Sequence, residues 1–369
     1  MLTNGLGDLL LNESRCHARF VDLFAGSAAV SWFVGQNVDV PVLSSDLQEY
    51  SKILAESVIC RTTNLDATPI AELWSKEATQ ILGSSACARK SLALENPRKN
   101  TVTWAAKARE LCSSESDVHD VLWSAYGGHY LSPLQAITVD ALRQALPLGR
   151  EENSACHAAV IMAISKCVAA PGHTAQPFRP TGNGGRYLRQ AWQCDILEVA
   201  VQKLHEICNC YARKQGKSQT GDALELAERL ECNDLVFLDP PYSGVHYSRF
   251  YHVLETAARQ KCSEVSGVGR YPPQGERPNS DFSKKRSSEE AFTTLLSRLS
   301  DRGCTVILTF PTSQCSNGLS GELVNHIASR YFEIVERKVK TLFSTMGGNN
   351  LHRSARRLTE ELILVMKPK

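Results

Sequence analysis

The chain has 369 residues, of which 43% are hydrophobic and 22% are charged. These values are ordinary for a globular protein with a sizeable buried core, and the length permits two or three domains. The net charge of only +2 excludes a strong overall positive field, so any binding of nucleic acid must depend on local clusters of cations.

The cysteines argue against a secreted or metal-held fold. There are 13 of them, an odd number, and they include no Cys-x-x-Cys pair. Cys208-x-Cys210 alone is not a zinc site, so we expect neither a disulfide framework nor a bound metal. The sequence also shows no signal peptide and no apolar stretch of membrane-spanning length. We therefore expect a cytoplasmic location.

The first informative segment, residues 20–60, predicts strand, helix, strand and helix. In Phe20–Val30 a short strand leads to a tight turn at Gly26 and a helix that begins at Ser27, a good N-cap residue. Gly26 lets the backbone approach a ligand, and a helix N-terminus favours a carboxylate or phosphate. Pro41–Asp46 predicts a second strand that ends in an acid, which can bind the two hydroxyls of a ribose.

Strand signals fade between residues 61 and 190, which predicts an inserted, mainly helical lobe. Ser132-Pro133 caps one clear amphipathic helix within it. Residues 171–189 are rich in glycine, proline, amides and arginine, and this composition predicts a loop. Arginine and glutamine read purine edges, and arginine also binds phosphate, but an ordinary surface loop explains the composition equally well.

The strongest stretch lies later, where the apolar strand Leu235–Leu238 is followed by Asp239-Pro240-Pro241-Tyr242. Prolines stop the strand, so an acid and an aromatic ring lie at its carboxyl end, where open α/β sheets bind ligands. The Asp239 carboxylate and a prolyl carbonyl can accept hydrogen bonds from an exocyclic amine, and Tyr242 can stack on its ring. The alternative is an ordinary strand that ends in a Pro-Pro turn with a surface tyrosine.

After this stretch, residues 246–252 are dense in aromatic and histidine side chains, which can stack on bases or pack inward as a helix. Residues 263–288 predict a polar linker or lid, and residues 304–310 predict another buried strand. Residues 332–339 and 361–366 predict a closing strand pair, with a basic hairpin tip between them that includes Arg353.

Taken together, these motifs resemble the Dam-like, or alpha-group, adenine-specific DNA methyltransferases, which use S-adenosylmethionine. Phe24-Ala25-Gly26-Ser27-Ala28 resembles the family's cofactor motif Phe-x-Gly-x-Gly, except that Ala28 replaces the second glycine. Asp46 matches the acid that binds the ribose, and Asp222 resembles the acid that receives the adenine amine. Asp239–Tyr242 match the catalytic tetrad. The implied sites are cofactor contacts at Asp22, Phe24, Ala25, Gly26, Asp46, Asp222 and Asp239, and catalysis by Asp239, Pro240, Pro241 and Tyr242. The composition of the loop and of the hairpin tip, and not the resemblance, predicts DNA contacts at Gln176, Arg179, Arg186, Arg189 and Arg353.

The resemblance implies a Rossmann-like, doubly wound α/β core formed by residues 1–60 and 191–369, with a helical target-recognition insertion at residues 61–190. It implies transfer of a methyl group from S-adenosylmethionine to the N6 amine of an adenine flipped out of duplex DNA, in restriction-modification or phage defence. A cognate nuclease or other defence proteins are candidate partners. Methylation of cytosine N4 or of adenine in RNA, and a non-catalytic DNA-binding subunit of the same fold, stay open as alternatives.

Overall fold

The computed structural model describes residues 2–94, 100–114, 120–344 and 356–369, without the side chains of residues 3, 4, 340–344 and 356–359. Its strands form one seven-stranded sheet. They are β1 Arg19–Asp22, β2 Val42–Asp46, β3 Lys217–Thr220, β4 Asp234–Leu238, β5 Thr305–Pro311, β6 Phe332–Ser344 and β7 Arg356–Pro368.

Helices precede, separate and follow the strands. They are α1 Gly7–Ser14, α2 Ala29–Asn37, α3 Glu49–Ile59, α4 Ala67–Ser84, α5 Ala86–Leu94, α6 Thr101–Ser114, α7 Val121–Tyr126, α8 Pro133–Gln144, α9 Arg150–Cys167, α10 Gly182–Trp192, α11 Ile196–Cys208, α12 Ala223–Ala227, α13 His252–Arg259, α14 Ser288–Asp301 and α15 Gly321–Ala328. Within the described part of the chain, no helix is long and apolar enough to cross a membrane.

The strand order is β3-β2-β1-β4-β5-β7-β6. The five strands from β3 to β5 run parallel, whereas β7 lies antiparallel between β5 and β6. From β1 the chain proceeds outward through β2 and β3, and it then returns to β4 on the other side of β1. The order therefore reverses between β1 and β4, which is where doubly wound sheets form their ligand crevice. The predicted doubly wound α/β fold is confirmed, as is the closing antiparallel pair.

The chain divides into two compact units. Unit 1 comprises residues 1–63, 211–247 and 279–369, and unit 2 comprises residues 64–210 and 248–278. Unit 1 contains the whole sheet. Unit 2 is built mainly from helices α4 to α11 together with α13, and its second segment follows the Asp-Pro-Pro-Tyr stretch in the sequence.

The core of unit 1 explains why β4 forms where it does. All five of its residues are buried, and Val236 and Leu238 join a cluster with Leu308 of β5 and Phe292 of α14. A run of apolar residues buried on both faces is typical of a central parallel strand. This core fixes the carboxyl end of β4, and with it the start of the Asp239–Tyr242 stretch.

Unit 2 contains the predicted capped helix. The side chain of Ser132 accepts from the backbone amide of Gln135, and the side chain of Gln135 accepts from the amide of Ser132, which is a complete capping box. One prediction within unit 2 is wrong, because residues 182–192 form helix α10 instead of a loop. Glycines disfavour helix in isolation, but Leu188 and Trp192 are buried against Trp104, and this packing overrides the local preference.

The predicted start of α2 is also wrong. The helix begins at Ala29, and its N-cap is Ala28, which has a left-handed φ of 61° and makes no side-chain capping bond. Ser27 therefore lies one position before the cap. The turn between β1 and α2 has positive φ at both Gly26 (52°) and Ala28, so it is tighter than a simple serine-capped start.

Candidate active site

Acidic side chains meet at the carboxyl ends of neighbouring strands in unit 1. Asp22 is the last residue of β1, Asp46 is the last residue of β2, and Asp239 follows β4 directly. Since β1 is paired in parallel with both β2 and β4, these strand ends lie at the same edge of the sheet. The edge coincides with the reversal of strand order, so the predicted cofactor and catalytic acids lie at the position expected for a ligand crevice.

The Gly26 turn is held against the end of β2. The Gly26 amide donates to Asp46 Oδ2 at 2.9 Å, and the Ala25 amide donates to the Ser45 carbonyl at 3.0 Å. A Cβ atom placed on Gly26 would meet only the Phe24 carbonyl oxygen, at 3.9 Å. The side of the turn where a glycine Cβ would project is thus open, and a ligand can approach the backbone there.

Asp46 is fixed by backbone amides. Its Oδ1 accepts from the Gln48 amide at 3.0 Å, while Oδ2 accepts from Gly26. Burial raises the pKa of the Asp46 carboxyl, and the bonds from these amides oppose that rise. Each carboxylate oxygen has a second acceptor site, so Asp46 can still accept from a hydroxyl while it holds the turn.

Asp22 is buried beneath the same turn. Its Oδ2 accepts from Ser31 Oγ at 2.8 Å and its Oδ1 from the Phe24 amide at 3.4 Å, and Ser31 also contacts Ser44 Oγ at 3.0 Å. Burial, with a smaller contribution from the nearby Asp46, raises the pKa of Asp22 to about 7, although the bonds from Ser31 and Phe24 lower it. At 1% exposure Asp22 supports the turn from below, and it does not present its carboxylate to solvent.

Asp222 lies one strand further out, after β3. Its Oδ1 accepts from the Leu224 amide at 2.8 Å and so caps α12. The preceding Gly221 amide donates to the Asp46 carbonyl at 3.0 Å, which ties this loop to the end of β2. Asp222 is only half-buried, so the part of its carboxylate not used for capping is accessible.

Asp239 lies beside β5 and β7. Its Oδ1 accepts from Thr309 Oγ1 at 3.1 Å. Burial, with a smaller contribution from the negative charge of Glu361, raises the pKa of Asp239 to about 7 against the lowering effect of the Thr309 bond. The carboxyl group therefore changes protonation near neutral pH, a property that clusters at functional sites.

The two prolines after Asp239 are held by a buried amide. Asn317 Nδ2 donates to the Pro241 carbonyl at 2.9 Å and to the Phe282 carbonyl at 3.1 Å, and Asn317 is fully buried. Gly244 extends the same connection, since its amide donates to Ser316 Oγ at 2.8 Å. Asn317 bonds the Pro241 carbonyl and not the Pro240 carbonyl. The turn is therefore fixed by a bond that does not use the Pro240 carbonyl.

Aromatic rings line the same part of unit 1. Tyr242 packs on the unit 1 core and meets the ring of Tyr247 edge-on at 6.4 Å. Phe24, in the predicted cofactor motif, meets Phe282 edge-on at 5.1 Å. Tyr242 and Phe24 are both half-buried and keep part of their surface accessible.

The predicted DNA contacts lie elsewhere. Gln176, Arg179, Arg186 and Arg189 are all exposed on unit 2, and Arg189 Nη2 donates to Thr101 Oγ1 at 2.8 Å. Arg353 and most of the predicted hairpin tip lie outside the described residues. In the aromatic run 246–252, Phe250 and His252 are buried, so these two rings pack inward.

Four residues that support the predicted ones could not be found from the sequence. Ser31, Thr309 and Asn317 form hydrogen bonds with Asp22, Asp239 and Pro241, and Glu361 acts on Asp239 through its charge. Only Ser31 is close in sequence to its partner, and none belongs to a motif. In the described part of the chain, no group of three or more His, Cys, Asp or Glu side chains is placed to hold a metal ion.

Comparison with known proteins finds a family model that one segment of the chain matches. Residues 180–291 match the model for D12 class N6 adenine-specific DNA methyltransferase. The matched segment contains α10 and the whole Asp239–Tyr242 tetrad, and it makes up less than half of the chain. The resemblance predicted from the motifs is thereby confirmed.

Full-length relatives agree with this match. The chain is 25% identical over 252 residues to Modification methylase StsI of Streptococcus sanguinis, covering 68% of this chain and 33% of that protein. It is 26% identical over 290 residues to Type II methyltransferase M.FokI of Planomicrobium okeanokoites, covering 77% and 39%. Modification methylase LlaI of Lactococcus lactis subsp. lactis is 22% identical over 282 residues, with 74% and 38% covered. The chain thus spans between a third and two fifths of the length of these relatives.

Proposed function

We propose that the chain methylates the N6 amine of an adenine that has been flipped out of duplex DNA, with S-adenosylmethionine as methyl donor. The observation that carries the proposal is Asp239, a carboxyl with a pKa of about 7 at the reversal point of the sheet, followed by a rigid Pro-Pro turn and an accessible tyrosine ring. The match to D12 class N6 adenine-specific DNA methyltransferases supports the choice of adenine.

The residues around the Gly26 turn fit the proposed cofactor. Gly26 presents open backbone, Phe24 presents a partly accessible ring, and Asp46 keeps acceptor sites for the ribose hydroxyls. Ala25 would hold the turn in place through its amide, which donates to the Ser45 carbonyl. Asp222 would accept from the adenine amine of the cofactor with the part of its carboxylate that does not cap α12. Asp22 supports the turn from below. When bound, S-adenosylmethionine supplies an electrophilic methyl group attached to a positive sulfonium.

The tetrad would prepare the target amine. An exocyclic amine on a purine is a poor nucleophile because its lone pair is delocalised into the ring. The Asp239 carboxylate and the Pro240 carbonyl would accept hydrogen bonds from its two N–H groups. These bonds favour a more tetrahedral, more nucleophilic nitrogen. This work is positioning and electrostatics, and it requires Asp239 to be deprotonated.

The target base must leave the helix before it can react, because adenine N6 is paired inside duplex DNA. Taking the base out of the duplex costs a few kcal/mol for unstacking and unpairing. Tyr242 would offset part of this cost by stacking on the flipped base. Its edge-on contact with Tyr247 orients the ring, and the Asn317 bond holds the Pro-Pro turn immediately before it.

Recognition of the site would fall to unit 2, the proposed target-recognition insertion. Gln176, Arg179, Arg186 and Arg189 are exposed there. Arg353, which lies outside the described residues, would add a DNA contact from the predicted hairpin tip. The relatives named as modification methylases support a restriction-modification role. A cognate nuclease or other defence proteins would be the partners in that role. Such a role takes place where the DNA is, in the cytoplasm.

A direct test uses the purified chain, duplex DNA of mixed sequence and S-adenosylmethionine with a labelled methyl group. After digestion to nucleosides, mass spectrometry should find the label in N6-methyldeoxyadenosine, and Asp239→Ala should give none. Label found only in N4-methyldeoxycytidine, or only in RNA supplied in the same reaction, would contradict the proposal.

A further inference from the structure

Helix α10, Gly182–Trp192, has one face anchored in a small core of unit 2. Leu188 is fully buried, and Trp192 is 2% exposed and meets Trp104 of α6 edge-on at 4.8 Å. Gly185 lies on the same face and is also buried. Residues 185, 188 and 192 follow helical spacing, so this face fixes the rotation of the helix about its own axis.

The opposite face presents a continuous polar stripe. Asn183, Arg186, Tyr187 and Gln190 are all exposed, and they stand at positions i, i+3, i+4 and i+7. Side chains at this spacing lie along one face of a helix. At 51% exposure the Tyr187 ring is the largest apolar surface of the stripe, and it packs against Phe178 at 5.4 Å.

The first turn of α10 packs tightly against the backbone of the preceding loop. A Cβ atom on Gly184 would lie 2.6 Å from the Arg179 carbonyl oxygen, and one on Gly185 would lie 2.5 Å from the Pro180 carbonyl oxygen. Both contacts are with backbone, so any larger residue would displace the start of the helix. The preceding loop thus holds the N-terminal turn firmly, and the stripe is presented on a fixed element.

The charge of the segment is strongly one-sided. From Pro171 to Cys194 the sequence has arginines at positions 179, 186 and 189 and contains neither aspartate nor glutamate. The whole chain carries a net charge of only +2, so binding of a polyanion must depend on local clusters of positive charge. The segment from Pro171 to Cys194 is one such cluster. Arg189 is at the margin of the two faces, where its bond to Thr101 of α6 draws it away from the stripe.

The side chains of the stripe are those that read base edges. Asparagine and glutamine make paired hydrogen bonds to adenine, and arginine makes them to guanine in the major groove. A helix is about 10–12 Å wide and the major groove about 12 Å, so α10 can enter it. Residues 183 to 190 span about 10 Å along the helix, which corresponds to about three base pairs.

We propose that α10 is the recognition helix of this protein and that it enters the major groove of duplex DNA with Asn183, Arg186, Tyr187 and Gln190 towards the bases. Arg186 reads a guanine, while Asn183 and Gln190 read adenines. Arg189 positions the helix through Thr101 and makes no base contact. This inference rests on the proposed function, since it names the residues that choose the methylation site.

The test measures binding and methylation separately. Wild type and the variants Asn183→Ala, Arg186→Ala and Gln190→Ala bind a pool of duplex oligonucleotides with a randomised central segment, and the bound fraction is sequenced. Each variant should lose discrimination at one base-pair position by roughly 5- to 150-fold. Matched controls are Arg89→Ala and Gln202→Ala, exposed residues on other helices of unit 2, which should keep the wild-type preference.

The outcomes separate the two proposals. A loss of affinity that is equal for all sequences, an unchanged preference in all three variants, or stronger binding to an equivalent single-stranded RNA pool would overturn the recognition helix. Thermal unfolding like that of wild type confirms that these surface variants fold. If wild type selects a sequence through these residues and yet transfers no methyl group to DNA, the recognition helix stands and the proposed function fails.

Discussion

The carboxyl of Asp239 is the residue whose surroundings bear most directly on the chemistry. Burial and the charge of Glu361 raise its pKa to about 7, whereas the Thr309 hydroxyl lowers it. In the proposed reaction a carboxylate would accept a hydrogen bond from the amine N–H and, after methyl transfer, take the proton that the nitrogen loses. The surroundings of Asp239 would therefore set the pH range of the proposed methylation.

We predict that the single-turnover methylation rate rises with pH around a midpoint near 7 and levels off well above it, because only the ionised Asp239 accepts from the amine. Two substitutions should move the midpoint in opposite directions. Glu361→Gln removes a negative charge and should lower the midpoint, and Thr309→Val removes the stabilising hydroxyl and should raise it. Equal midpoints in the two variants would show that Asp239 does not govern the profile.

Asp22 gives a prediction for stability instead of rate. Its folded pKa is raised to about 7 from a usual 3.8, so between these values the folded protein holds a proton that the unfolded chain has lost. The free energy of unfolding should therefore fall as pH rises through that window. Asp22→Asn should make urea unfolding less pH-dependent between about pH 4 and 7, while the exposed control Asp8→Asn should behave like wild type. A variant as pH-dependent as wild type would contradict the assignment.

Ala28 occupies a backbone conformation that suits glycine. Its φ is 61° and its side chain is fully buried, and a left-handed conformation costs an L-residue about 1–2 kcal/mol. Ala28→Gly should therefore raise the free energy of unfolding by roughly 0.5–1 kcal/mol, after the larger entropy of an unfolded glycine is subtracted. Ala106→Gly, at an exposed site inside α6, should instead lose about 1 kcal/mol. If both variants lost the same free energy of unfolding, Ala28 would not be strained.

At the scale of elements, the buried Asn317 joins the loop after β5 to the tetrad. We predict that Asn317→Ala lowers the methylation rate by roughly 10- to 100-fold with a folded protein, because the Pro241 and Phe282 carbonyls lose their donor and the turn loosens. Gln314→Ala is the matched control, since this exposed amide bonds the Gly318 carbonyl in the same loop. A rate within twofold of wild type for Asn317→Ala would remove its positioning role.

Elements with a strong local pattern could be predicted from the sequence. The apolar run of β4 and the capping box of α8 each carry their own signal, and both lie where the pattern predicts. Helix α10 could not be predicted, because its glycines favour a loop and its stability comes from Trp104, far away in the sequence. The start of α2 was misplaced for a similar reason, since the tight turn depends on the bond from Gly26 to Asp46.

The site was predictable only as far as its motifs extend. Asp22, Asp46 and Asp239 end strands that the pattern shows, so their meeting at one edge of the sheet follows from parallel topology. Thr309 and Asn317 are 70 and 76 residues from the tetrad residues they bond. No local pattern identifies them, because their role exists only once the sheet has formed.

At the scale of the whole molecule, the chain interrupts its sheet-bearing unit twice. Unit 2 takes residues 64–210 and then residues 248–278, and the second interruption follows the tetrad almost directly. The long gap in the strand pattern predicts a single insertion at residues 61–190. The second interruption could not be predicted, because residues 248–278 hold one regular helix and short turns whose partners lie in the first segment, such as Tyr126 beside Thr256 at 2.9 Å.

The central claim is that this chain modifies adenine in DNA through Asp239. The most direct measurement is to express it in a host that lacks DNA methylation and to sequence the host DNA for modified bases. We predict N6-methyladenine at one recurring sequence with wild type, and unmodified DNA with an equally expressed Asp239→Ala variant. Normal methylation by Asp239→Ala, or modification of cytosine alone by wild type, would contradict the account.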